Sequence, residues 1–136
     1  MSRLPPKMQG DVWRTLLRQY KKMLQIQMTV PNKGMEFAIS AKGHAGAGAS
    51  GQDIVCAAAS IVTYVVAETV LSMWKGRKLQ KKPVVRLSSG SALIHCSPLT
   101  DYREEVQAAF RFAATGYGLL SRSYADNVQF IKLDGA

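Results

Sequence analysis

Histidine and cysteine are scarce in this chain. There are two of each in 136 residues: His44, His95, Cys56 and Cys96. They lie too far apart in sequence for metal-ligand spacing, so no metal and no cofactor are expected. Two cysteines leave one disulfide open by count, but nothing marks the chain as secreted, and free thiols are the expectation. The N-terminus lacks a continuous apolar core followed by a small-residue cleavage site. No Gly-Lys-Ser/Thr closes the glycine-rich stretch, which excludes a phosphate loop of that type. Acidic residues are half as numerous as basic ones, 9 against 18, for a net charge of +9. That imbalance fits an anionic neighbour such as a ribosome or RNA, or equally a solvated basic surface.

The apolar content, 47%, is enough for the core of one domain. The longest apolar run, Ile54 to Trp74, is interrupted by Ser60, Thr63, Glu68, Thr69 and Ser72. It reads as a helix buried on more than one side, against a second helix or a partner chain, and not as a membrane span. No membrane partner is expected.

Met1 to Gly10 carries Pro5, Pro6 and Gly10 and reads as loose chain. A helix is expected from Asp11, with Val12, Leu16, Leu17 and Tyr20 on one face. At Met23 the period changes. Leu24, Ile26, Met28 and Val30 alternate with polar residues, Pro31 to Gly34 makes a turn, and Met35, Phe37, Ile39 and Ala41 alternate again. These predict a hairpin that delivers Gly43 and His44 at its end. Asp53 is the expected N-cap of the long helix, and Gly76 its stop. A basic linker, Lys75 to Lys82, leads to a strand at Val84 to Leu87, a turn at Ser88 to Gly90, and a return strand to Cys96. Thr100 or Asp101 is expected to cap a second helix, with Asp101 and Glu104 as a capping-box variant. Its buried face is Val106, Ala109, Phe110, Ala113, Tyr117 and Leu120, and Gly116 and Gly118 permit close packing. Asn127 to Leu133 is a last strand. The expected fold is α/β of the α+β type, in the order β-β-α-β-β-α-β behind an extra N-terminal helix. Two long helices cover one face of a mostly antiparallel five-stranded sheet. Residues 1–22 form an N-terminal extension and residues 23–136 the domain.

The stretch from Gly43 to Ser60 carries the chemistry. His44 ends a strand, a run of glycine, alanine and serine follows, and Cys56 falls in the first turn of a helix. Unpaired amides at a helix N-terminus favour a thiolate, as does a nearby imidazolium, whereas the Asp53 carboxylate opposes it. His44 is suited to act as base toward the thiol and as acid toward a leaving amine. The first amides of the helix, with loop amides, are candidates for an oxyanion site. Each residue also has a bland reading: a cysteine in an alanine-rich helix is usually a small core hydrophobe, and a Gly/Ala run is often a linker. His95 and Cys96 are adjacent on a strand, point to opposite faces and cannot act together.

Gly43-His44-Ala45, a glycine-rich loop, then Asp53-Ile54-Val55-Cys56-Ala57-Ala58 and Ser60 resemble the signature of the ribosomal-processing cysteine protease family, Prp. Gly51, two before the Asp, fits as well, and so does the downstream Gly118-Leu119-Leu120 with Tyr124. The resemblance implies a cytoplasmic cysteine endopeptidase with a two-layer fold that acts as a homodimer. Its implied substrate is the precursor of large-subunit ribosomal protein twenty-seven, trimmed of a short N-terminal extension after an aromatic residue, or a similarly tagged phage capsid or scaffold protein. It implies Cys56 as nucleophile and His44 as general base, with Asp53 and Ser60 in supporting positions. Gly43, Gly46, Gly48 and Gly51 would belong to a loop that gates the substrate. The segment before Met23 has no counterpart in the family. The alternative reading is a non-catalytic basic ribosome-associated or assembly factor with an incidental thiol.

Overall fold

The alternating strand segments bury one face and wet the other. In the computed structural model, which describes residues 23–46 and 53–134, β1 (Leu24–Thr29) and β2 (Phe37–Lys42) pair antiparallel. Leu24, Ile26 and Met28 point to the same face as Phe37, Ile39 and Ala41, and all six are buried. The helix α1 (Ile54–Lys75) follows, then β3 (Val84–Ser88) and β4 (Ser91–Cys96). A 3-10 turn at Thr100–Tyr102 runs into α2 (Arg103–Ser123), and β5 (Val128–Leu133) completes the sheet.

The sheet order is β3-β4-β2-β1-β5. Three of its pairings are antiparallel, and β1 with β5 is parallel. β2 and β3 both run antiparallel to β4, so they are parallel to each other, and α1 is the crossover between them. By the same logic α2 links β4 to β5. Parallel strands need such long connections, and both lie on the apolar face of the sheet. The result is the two-layer arrangement expected from the sequence. The extra N-terminal helix expected from Asp11 lies outside the described residues.

Between the layers, Val55, Ala59, Val66 and Val70 of α1 meet Val106, Phe110, Ala113 and Tyr117 of α2 over the sheet residues. The Phe37 and Phe110 rings pack tilted at 5.3 Å. Thr63, buried in α1, returns its hydroxyl to Ala59 O at 2.8 Å and bonds the Tyr117 hydroxyl, so neither buried oxygen is orphaned. Gly116 allows the helices to approach: a Cβ there would stand 3.4 Å from Val62 Cγ2.

α1 is buried against the sheet and α2, while Ile54, Ile61 and Val65 stay 67%, 63% and 59% exposed in this single chain. Gly76 ends the helix as expected, as its C-cap at an ordinary φ of −78°, and the left-handed residue is the next one, Arg77, at φ +60°. Two expectations are corrected. The Asp101–Glu104 capping box does not form, because the 3-10 turn intervenes and Tyr102 stands at the N-cap without a side-chain bond. Gly118 is not required for packing, since a Cβ there meets only Arg122 Nη1, at 3.5 Å.

The register places the start of β1, the end of β2, the β3–β4 turn and the start of β5 at one end of the sheet. The N-terminus of α1 reaches the same end, where Cys56 meets Ala45.

Candidate active site

Asp53 caps α1 from the extended region, φ −79° and ψ 100°. Its Oδ1 accepts from Val55 N and Cys56 N, both at 3.0 Å, and its carbonyl accepts from Ala57 N at 3.0 Å. This cap starts the helix so that Cys56 stands in its first turn, half-buried, with Ser60 exposed one turn further on. The three amides are occupied by Asp53. The expectation that the first helix amides hold an oxyanion is therefore corrected for Val55, Cys56 and Ala57.

His44 arrives from β2 through Gly43, whose φ of +95° is available to glycine alone at low cost. A Cβ on Gly43 would stand 2.7 Å from the Met23 carbonyl oxygen, a second reason for glycine. Gly43 N donates to Gly90 O at 2.9 Å, which ties the end of β2 to the β3–β4 turn. Gly90, at φ +73°, lies against the imidazole: a Cβ there would stand 2.8 Å from His44 Nε2. The side chain of His44 is exposed and faces a cleft of about 450 Å³ that Cys56 also lines. Leu24, Ile26 and Ala41 line it from the sheet, Ser60 and Tyr64 from α1, and Leu87 to Ala92 from the hairpin.

A backbone hydrogen bond reaches the sulfur: Ala45 N donates to Cys56 Sγ at 3.2 Å. No hydrogen bond joins His44 to Cys56 among the described residues, although both line the one cleft. Burial pushes the Cys56 thiol above its ordinary value. The Ala45 amide pulls it back, and the Asp53 carboxylate raises it further through a hydrogen bond and its charge. The net direction is upward, which favours the thiol form and calls for a base to take its proton.

The structure brings together His44, Cys56, Asp53 and Ser60, with Gly43 lining the cleft; Gly46, which does not line it, follows Ala45 at φ +67°. Gly48 and Gly51 lie outside the described residues. Cys96 is free like Cys56 but fully buried, its thiol pushed up to about 12 by burial and by Glu36. His95 is on the opposite face, with its Nε2 against the Glu36 carboxylate, as the strand alternation requires. Three participants escaped the sequence reading: the Ala45 amide, Gly90 as the wall behind His44, and Asn127, whose Nδ2 donates to Ala45 O at 2.9 Å. The expected turn at Ser88 to Gly90 was a signal for the second of these. For the other two the sequence held none.

The family model described as cysteine protease Prp matches residues 23–129. Among solved structures, the chain is similar to an essential ribosomal processing protease Prp from S. aureus in complex with a covalently linked product peptide. The TM-score is 0.63 at 21% identity, covering 81% of this chain and 99% of that one. The same protease in complex with a substrate peptide gives 0.58 at 20% identity, with the same shares covered. SMU.848 from Streptococcus mutans gives 0.60 at 22% identity, covering 82% of this chain and 95% of that one. At these identities the structures establish the fold. No curated protein sequence matches at a significant level.

Proposed function

Because the chain belongs to the cysteine protease Prp family, we propose that Cys56 and His44 are its catalytic dyad and that it trims the N-terminal extension of a ribosomal protein precursor. The observation that carries this reading is the shared cleft: two residues from different elements face one cavity, and a backbone donor is already aimed at the sulfur. In the reaction, His44 takes the thiol proton and Cys56 Sγ adds to the scissile carbonyl. The tetrahedral adduct collapses to a thioester as the C–N bond breaks, and the amine leaves with the proton from His44. Water then adds to the thioester, giving up a proton to His44. The Cys56–acyl bond breaks, releasing the new carboxyl end and returning the thiol. Asp53 fixes the helix turn that presents the sulfur, and Ser60 faces the incoming peptide.

The substrate proposed is the extension of large-subunit ribosomal protein twenty-seven, cut after an aromatic residue. A phage capsid or scaffold protein bearing the same tag is chemically equivalent. Two features support an apolar, extended peptide. The cleft is floored by Leu24, Ile26 and Ala41 and flanked by Tyr64 and Leu87, which suits an aromatic side chain. The edge strand β3 contributes Leu87 and Ser88 to the cleft, and its outer backbone is available to an added strand. The S. aureus structures hold a substrate peptide and a covalently linked product peptide. Exposed Lys75, Arg77, Lys81 and Lys82 support work close to RNA on the ribosome, and hence a cytoplasmic site of action.

A homodimer is part of the same proposal. Ile54, Ile61 and Val65 of α1 and Phe112 and Leu119 of α2 are exposed apolar side chains on the helix layer. Their cover is a second copy, and Ile61→Asp is expected to leave a monomer by light scattering.

The deciding experiment incubates the protein with a peptide carrying the apolar, aromatic-ended extension, beside Cys56→Ala and His44→Ala. Cleavage by the unmutated protein alone is expected. Cleavage surviving Cys56→Ala would move the nucleophile elsewhere. No cleavage by the unmutated protein, with the peptide still bound, would favour the non-catalytic ribosome-associated factor.

A further inference from the structure

Asn127 stands at the junction of three elements. Its backbone N–H donates to Tyr124 O and its carbonyl accepts from Leu24 N, both at 2.9 Å. The residue is thus clamped between the end of α2 and the start of β1. From that base its side-chain amide reaches the catalytic segment and donates to Ala45 O at 2.9 Å. The carbonyl can only accept, so Asn127 must present its NH2 group there. On its other side the same alanine donates its N–H to Cys56 Sγ at 3.2 Å.

We infer that Asn127 is a positioning residue for the nucleophile, holding Ala45 so that its N–H stays aimed at Cys56 Sγ as the thiolate forms. The inference rests on Cys56 as the nucleophile. The need for such an anchor follows from the segment's own backbone. Ala45 lies between Gly43 at φ +95° and Gly46 at φ +67°, two residues with the widest choice of conformations. Ala45 is 2% exposed, so its carbonyl has little access to water and needs a partner. Loss of the Asn127 donor leaves that carbonyl to find another, and the cheapest way is for the peptide planes around Ala45 to rotate. Rotation takes the N–H off the sulfur. A donor fixed before the reaction strengthens as charge develops and needs no reorganisation when it does.

The titratable groups around the thiol are Asp53 from α1, His44 from the end of β2 and Tyr64 within the cleft. The β3–β4 hairpin contributes the neutral Ser88 and Ser89. Asn127→Leu alters none of these. It keeps the branching and approximate size of the side chain and removes only the donor.

The test is the pH dependence of Cys56 alkylation by iodoacetamide in the full chain, with the modified residue assigned by peptide mass mapping. In Asn127→Leu the midpoint is expected to rise by about 0.5–1 pH unit, and the rate at pH 7 to fall about 3- to 10-fold. A residue that only holds the fold would lower the melting temperature and leave the midpoint and the pH 7 rate unchanged; that result overturns the inference. A second measurement stands even if the variant does not fold. In the unmutated protein, the Ala45 amide resonance should shift with pH at the midpoint of Cys56 alkylation. An Ala45 amide that does not follow that titration overturns the inference as well. Neither readout uses a peptide substrate, so failure of the protease reading shows separately, as absence of cleavage.

Discussion

Replacing Gly90 by alanine places a methyl group behind the imidazole of His44. The new Cβ would stand 2.8 Å from Nε2, 3.3 Å from Cε1 and 3.5 Å from Cδ2, so either the ring or the hairpin has to retreat. Restoring an ordinary contact of about 3.4 Å to Nε2 takes a movement of about 0.6 Å. The backbone at φ +73° adds a cost of about 1 kcal/mol for a residue with a Cβ. Together these should destabilise the fold by about 1–2 kcal/mol, a fall in melting temperature of a few degrees, leaving the protein folded at assay temperature. Catalysis should suffer more. A misplacement of about 1 Å at a reacting group costs on the order of 100-fold, so 0.6 Å should cost between about 10- and 100-fold in kcat/KM. The assay is steady-state cleavage of the extension peptide, with thermal melts on the same samples. Gly118→Ala is the control. It sits inside α2, where its methyl meets only Arg122 Nη1 at 3.5 Å, and it should stabilise the helix by up to about 1 kcal/mol with unchanged kcat/KM. A folded Gly90→Ala protein whose kcat/KM stays within about twofold of the unmutated chain would refute the role of Gly90 as the wall of His44.

Two further outcomes follow from the same geometry. Asp53→Asn keeps an oxygen to accept from Val55 N and Cys56 N, so stability should change by less than about 0.5 kcal/mol. It removes the charge that raises the Cys56 thiol, so the alkylation midpoint should move down and the pH 7 rate up; a fixed midpoint would show that the Asp53 charge does not contribute to the raised value. Arg77→Gly relieves a left-handed residue just past the C-cap of α1 and should stabilise the protein by about 0.5–1 kcal/mol in thermal melts. No gain in stability would show that the Arg77 conformation carries no strain.

Much of the fold was legible because its signals are local. Period-2 alternation located β1 and β2 to within two residues, and Asp53 announced the start of α1 by its chemistry. Gly76 ends α1 as its chemistry announces, although the turn puts Arg77 and not the glycine in the left-handed position. There the amides of residues 76–78 donate back to the carbonyls of Ser72, Met73 and Trp74. Where the reading fails, a neighbour overrides local preference. Asp101 and Glu104 have the spacing of a capping box, but Leu99 N bonds Lys78 O and commits that chain to a 3-10 entry instead.

By itself the sequence determined the two-layer order of elements and named the residues able to do thiol chemistry. Hydrophobic period and capping are short-range, and reactive side chains can be read one at a time. The tertiary structure decided which groups those side chains meet. Gly90 is 46 positions from His44, and Asn127 is 82 from Ala45; only the pairing of β1 with β2 and β5, and of β2 with β4, draws them to one end of the sheet. The environment of Cys56 was decided there too. The helix terminus and the opposing Asp53 carboxylate can be read locally, whereas the burial that raises the thiol and the Ala45 amide that lowers it come from elements brought together by the fold.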